Sequence, residues 1–127
     1  MNIISIDYGT KNIGLAMNND TEIAFPLKSI INNEKAIEEI KDVYDEEMAG
    51  KIIIGMPTKM NRTAGALAEE IKAFAEKLKE AGLQIEFEDE LLSSEMTKKM
   101  MEGYKGKYDK DAVEAAVILQ TYLERNI

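Results

Sequence analysis

Ile3-Ile4-Ser5-Ile6-Asp7-Tyr8-Gly9-Thr10-Lys11-Asn12-Ile13-Gly14-Leu15-Ala16 reads as a β-strand that carries a carboxylate to its end, a tight turn, and a second strand running back. Ile3, Ile4 and Ile6 are β-branched and favour a pleated, buried setting. An aspartate placed directly after such a run leaves the core as the strand leaves the sheet. Gly9 and Gly14 bracket the return and allow backbone angles or close approaches that other residues resist. Ionisable groups at strand ends are where open α/β folds keep their chemistry, so Asp7 is a candidate functional carboxylate. The plainer alternative is a turn-former bonding to its own loop.

Outward from that hairpin, Asn18-Asn19-Asp20 is a turn cluster, and Glu22-Ile23-Ala24-Phe25-Pro26-Leu27 reads as a third strand. Pro26 suits an edge, because it cannot donate to a ladder. Asn32 or Asn33 is expected to cap a helix to about Met48, with Ile37, Ile40, Val43 and Tyr44 on one face, and Gly50 to end it. Lys51-Ile52-Ile53-Ile54-Gly55-Met56-Pro57 changes the pattern: three consecutive isoleucines predict a strand buried on both faces, as a central parallel strand is. Thr63 opens a helix through Ala81, with Leu67, Ile71, Phe74 and Leu78 at helical spacing, and Gly82 stops it. Gln84 to Glu90 is a fifth strand whose end is crowded with acids. Ser93 or Ser94 caps a short helix to about Glu102, and a glycine- and lysine-containing loop follows. The last helix, Asp111 to about Glu124, is apolar on most sides and so is expected to be packed on most sides.

This order, β-β-β-α-β-α-β-α-α, predicts an α/β domain spanning residues 1–127. Its mixed five-stranded sheet has three antiparallel strands followed by parallel crossovers, flanked by helices. That is the ribonuclease-H-like arrangement, with the first strand central and the last helix lying across the sheet beside it.

Composition restricts the chemistry. With no cysteine and no histidine among 127 residues, thiolate zinc sites, thiol nucleophiles and the usual general base are excluded. Catalysis must run on carboxylates, hydroxyls, lysines or a bound ion, and hard oxygen ligands select Mg²⁺ or Mn²⁺. No apolar run approaches a membrane span and no signal segment opens the chain, so a cytoplasmic location without membrane contact is expected. The net charge of −8 argues against non-specific nucleic-acid binding by the whole surface. The charge is uneven, however: from Lys98 to Lys110, five lysines stand against Glu102 and Asp109. Lys105, Lys107 and Lys110 could hold phosphates there, or simply solvate a loop.

Three acidic points sit at element boundaries: Asp7, the Asp89-Glu90 pair, and Asp111. Three carboxylates brought within ~5 Å repel pairwise by roughly 3 kcal/mol at an effective dielectric of 20, so such a cluster persists only if protonated or if a cation sits in it. Each has a bland alternative. Asp111 and Glu114 form a D-x-x-E capping box, and Asp89-Glu90 could be a solvated strand end.

The same residues resemble a known family. Asp7 to Ala16, Gly55-Met56-Pro57 with Asn61, Asp89-Glu90 before a serine pair, and Asp111-Ala112 leading into Ala115 to Gln120 are together similar to the YqgF/RuvX family. Its members are ribonuclease-H-like nucleases, described as Holliday junction resolvases and as pre-16S ribosomal RNA processing nucleases. The resemblance runs from about Ile3 to Leu123, in the family's order. It implies that Asp7, an acid of the Asp89-Glu90 pair and Asp111 form a catalytic metal cluster. Alternation from Ile85 and Phe87 turns Asp89 to their face and Glu90 to the other, and both are kept as candidates. The resemblance further implies that Lys11, beside Thr10, meets a phosphate, and that Asn61 belongs to the substrate site.

The expected partner is a ribosomal RNA precursor, with or without the ribosome, or branched DNA, bound by a monomer or homodimer. Two departures stand out: Leu91 replaces the family's usual arginine, and Asp109 intrudes among the lysines. With Arg62 and Arg125 the only arginines, phosphate contacts fall mainly to lysines acting as point charges. A binding module without catalysis, and an actin- or sugar-kinase-like ATPase, are the rival classes.

Overall fold

The isoleucine run forms β1 (Asn2–Tyr8), the middle strand of a five-stranded sheet ordered β3-β2-β1-β4-β5. β2 (Asn12–Met17) and β3 (Phe25–Ile31) continue it antiparallel, while β4 (Ala49–Met56) and β5 (Ile85–Asp89) continue it parallel on the other side. The described residues also form four helices: α1 (Ala36–Glu46), α2 (Arg62–Glu80), α3 (Glu95–Glu102) and α4 (Lys110–Arg125). These elements come from a computed structural model that describes residues 1–57, 62–89 and 95–126. The topology is the one the element order predicts.

Strand alternation divides the interior into two cores. Ile4, Ile6, Ile13, Leu15, Ile52 and Ile54 pack with Ile40 of α1 and Ile71, Phe74 and Leu78 of α2. On the opposite face, Ile3, Ala16 and Ile53 pack with Met101 of α3 and Ala115, Ala116, Leu119 and Tyr122 of α4. The unbroken run Ile52-Ile53-Ile54 is thus explained: all three are fully buried, two toward one layer and one toward the other. Burial of each such side chain contributes about 2–3 kcal/mol.

Three local expectations are corrected. The third strand begins at Phe25 rather than Glu22, because the Gln120 side chain on α4 takes the backbone of the preceding segment. Its Oε1 accepts from the Ala24 N–H (2.8 Å) and its Nε2 donates to the Glu22 carbonyl (3.2 Å), so those groups have no need of a ladder. Helix α1 starts at Ala36 after Lys35, with Asn33 bonding to the Lys35 N–H one turn earlier. Gly50 does not end α1. Met48 makes the left-handed turn (φ 52°), and Gly50 already lies in β4. Gly82 (φ 93°) does close α2 as expected. Among the described residues, no helix is long and apolar enough to cross a membrane.

Candidate active site

Ser5 donates its hydroxyl to the Ala115 carbonyl (2.7 Å), fixing α4 across β1. Two residues farther along the same face stands Asp7, half-buried at the strand end. Asp7 pairs with Gly14 of β2, and Gly14 pairs with Ser29 of β3. These three residues form one row across the sheet beneath the start of α4.

The glycine in the middle of that row is required by the helix above it. A β-carbon at Gly14 would lie 1.9 Å from the carbonyl oxygen of Asp111 and 2.8 Å from the amide nitrogen of Ala112. The first turn of α4 therefore rests its backbone on β2, and the buried Ala112, Ala115 and Ala116 let the rest of the helix sit close. Asp7 is the direct sheet partner of Gly14, and the Asp111 backbone rests on that same glycine, so both acids adjoin one position of β2. The capping-box reading of Asp111 and Glu114 does not hold. Asp109 is the N-cap residue and makes no side-chain cap bond, and Asp111 sits inside the first turn.

The other acidic candidates are placed differently. Asp89 pairs with Met56, whose side chain packs on the α1/α2 core, so alternation puts Asp89 on the face away from Asp7 and Asp111. The preceding residue, Glu88, pairs with Gly55 and shares the Asp7 face. Sequence reasoning missed it. It is 4% exposed and bound by Arg125 (Nη1 to Oε1, 2.7 Å). Burial pushes the Glu88 carboxyl above the ordinary range, against the pull of Arg125. Glu90 and Asn61 lie outside the described residues. Among the described residues, no group of three or more acids could hold a metal ion.

The hairpin tip is held rigidly. A β-carbon at Gly9 would meet the Asn12 carbonyl oxygen at 2.5 Å, so the turn needs glycine there. Asn32, one of the two residues expected to cap α1, instead fastens this turn: its Nδ2 donates to the Gly9 carbonyl (2.8 Å) and its backbone N–H to the Lys11 carbonyl (2.9 Å). Tyr8 anchors the near side, packing at a tilt against Phe74 and donating its hydroxyl to Glu70 (2.7 Å). Burial, and then the Glu70 bond, raise the Tyr8 hydroxyl's pKa. Thr10 and Lys11 stand exposed on this braced turn.

Of the loop lysines, Lys105 pairs with Glu102 (3.1 Å). Lys107 lines a cleft of about 370 Å³ with Lys28, Tyr108 and Asp109, and Lys110 lines one of about 320 Å³ that also includes Tyr108.

The donors fit a hard divalent ion. Mg²⁺ is typically held by one or two carboxylates together with waters and phosphate oxygens, which Asp7 and Asp111 can satisfy. Ser29 adds a buried hydroxyl that makes no hydrogen bond among the described residues. A third strand recognised as far as Ile31 would have brought Ser29 to notice, since it lies opposite Gly14.

A family model described as RuvX, Holliday junction resolvase, matches residues 1–125. The chain belongs to the RuvX family. Its relatives include proteins named "Putative pre-16S rRNA nuclease". That of Sulfurihydrogenibium sp. is 36% identical, covering 97% of this chain and 90% of the relative. The one of Clostridioides difficile is 34% identical, covering 98% and 95%. Among solved structures, this RuvX-family chain is similar in fold to Thermus thermophilus RuvC in complex with a Holliday junction substrate (TM-score 0.68, 14% identity, covering 95% of this chain and 92% of that one). The fowlpox virus Holliday junction resolvase is also similar in fold (TM-score 0.57, 17% identity, full coverage of both). The ribonuclease-H-like fold read from the sequence is the fold of these resolvases.

Proposed function

We propose that this RuvX-family protein is a nuclease that hydrolyses phosphodiester bonds in structured RNA, trimming the 5′ end of pre-16S ribosomal RNA in the cytoplasm. Asp7, Asp111 and an acid of the Asp89-Glu90 pair would hold Mg²⁺ or Mn²⁺. Glu90 is the favoured member, because Asp89 pairs with Met56 toward the other core. The observation that carries this reading is the seating of the Asp111 backbone on Gly14, the sheet partner of Asp7, which supports a site shared by residues from opposite ends of the chain. The names of the relatives support the RNA assignment.

When bound, the ion offsets the repulsion between the acids and polarises a phosphoryl oxygen. The chain's own residues orient the substrate. Lys11 and Thr10 on the braced hairpin tip meet a phosphate beside the carboxylates, and the Ser29 hydroxyl is free to bond to an oxygen brought into the row. Lys105, Lys107 and Lys110 extend the contact along the backbone.

The family description, Holliday junction resolvase, favours a second reading with the same chemistry on branched DNA. Such an enzyme would act as a two-fold dimer to cut both strands. Purified protein with Mn²⁺ should cleave precursor RNA and leave a four-way DNA junction intact. Symmetric nicking of the junction, with the RNA untouched, would overturn the RNA assignment.

A further inference from the structure

The two exposed aromatic side chains among the described residues stand in opposite settings. Phe87 (39% exposed) lies on the edge strand between Glu86 and Glu88, followed by Asp89, where a polyanion is repelled. Tyr108 (43% exposed) lies on the loop between α3 and α4, flanked by Lys28, Lys105, Lys107 and Lys110.

Tyr108 is held rather than free. Its ring packs edge-on against Tyr104 (centroids 5.6 Å apart, planes at 85°). Tyr104 in turn packs on the α4-side core and donates its hydroxyl to the Ala24 carbonyl (3.2 Å). The loop backbone is fastened by the Tyr104 N–H to the Met101 carbonyl and the Lys107 N–H to the Tyr104 carbonyl, and Gly106 makes the turn at φ 79°. Tyr108 and Gly106 line both clefts, of about 370 and 320 Å³.

Charge decides what this surface can hold. The four lysines face Asp109 and Glu114 in the clefts, and Lys105 is taken by Glu102. The locality is close to neutral on a protein of net charge −8. It does not repel a nucleic acid, yet its charge alone gives only supporting backbone contacts. A fixed aromatic face with three lysines that make no ion pair among the described residues suits one unpaired nucleotide, whose base stacks in a sequence-tolerant way. The position agrees. Tyr108 precedes Asp111 by three residues, and it shares a cleft with Lys28 of the edge strand, whose pairing with Leu15 lies one step from the Gly14–Ser29 pair.

We propose that Tyr108 is a stacking platform for an unpaired base next to the bond to be cut, with Lys28 and Lys107 holding the phosphates that flank it. The inference rests on the nuclease reading and adds to it a requirement for a single-stranded segment beside the cleavage point.

Fluorescence anisotropy without divalent ions tests it apart from cleavage, using a labelled blunt duplex and the same duplex with a single-stranded 5′ overhang, each in RNA and DNA form. Tyr108→Ala should weaken overhang binding about 5- to 150-fold, leave blunt-duplex binding unchanged, and melt like the wild type. Tyr108→Phe should retain the affinity, whereas Tyr108→Leu, which keeps apolar packing without a π face, should lose it. Should the alanine variant unfold, the Phe and Leu pair carries the comparison. Lys28→Ala and Lys107→Ala should each reduce the salt slope by about 0.7. The RNA and DNA arms identify which strand type the platform takes. Overhang binding unchanged in Tyr108→Leu, or lost equally for both duplexes, would overturn the platform. Wild-type protein that binds none of the four probes would overturn the nuclease reading, and the platform with it.

Discussion

The backbone of Asp111 lies directly on Gly14: a single methyl group at position 14 would come within 1.9 Å of the Asp111 carbonyl oxygen. Because Gly14 is also the sheet partner of Asp7, one missing side chain lets the start of α4 settle next to the end of β1.

Gly14→Ala should therefore push the start of α4 off the sheet. The expected cost is about 1–3 kcal/mol in denaturant unfolding, with loss of cleavage in the fraction that stays folded. Gly65→Ala is the control. Gly65 lies in α2 with nothing within 4 Å of its would-be β-carbon, so the same change there should stabilise by about 0.5–1 kcal/mol. Equal effects at the two positions would contradict the seating of α4 on β2.

Met48 offers a stabilising change far from the site. It holds φ 52° without being glycine, and its side chain is 82% exposed, so the left-handed strain is not repaid by packing. Met48→Gly should raise the unfolding free energy by up to about 1 kcal/mol, read as a higher denaturation midpoint at constant slope.

The Glu88–Arg125 pair predicts a pH dependence. Burial raises the Glu88 pKa, Arg125 lowers it, and Asp89 and Glu86 raise it further. With the net shift upward from 4.5, the folded protein keeps a proton that the unfolded chain has released, so this group's stabilisation is complete below 4.5 and fades as pH rises through the raised value. Arg125→Ala removes the lowering partner and leaves the buried charge unpaired. Because Arg125 is half-exposed, the expected loss near pH 7 is about 1–2 kcal/mol, shrinking toward pH 4. A difference that stays constant across that range would contradict the assignment.

How far the sequence could be read depends on where the deciding interactions lie. β1, β4 and α4 announce themselves because burial on one or both faces writes itself into consecutive apolar positions, as in Ile52-Ile53-Ile54 and Ala112 to Leu119. The start of β3 was hidden because Gln120, on the far side of the chain, takes over the backbone of Glu22 and Ala24. Asn32 looks like a helix cap in sequence, yet its partners are Gly9 and Lys11. At the site, Asp7 and Asp111 could be picked out by their places at element ends. Glu88 and Ser29 could not, since their roles depend on register with Gly55 and Gly14.

Calorimetric titration with Mn²⁺ bears most directly on whether these acids form one ion site. Wild-type protein should bind the ion, and Asp7→Asn and Asp111→Asn should each abolish binding while changing metal-free stability by less than about 1 kcal/mol. Retained Mn²⁺ binding in either variant, or no binding by the wild type, would contradict a shared site built from the two ends of the chain.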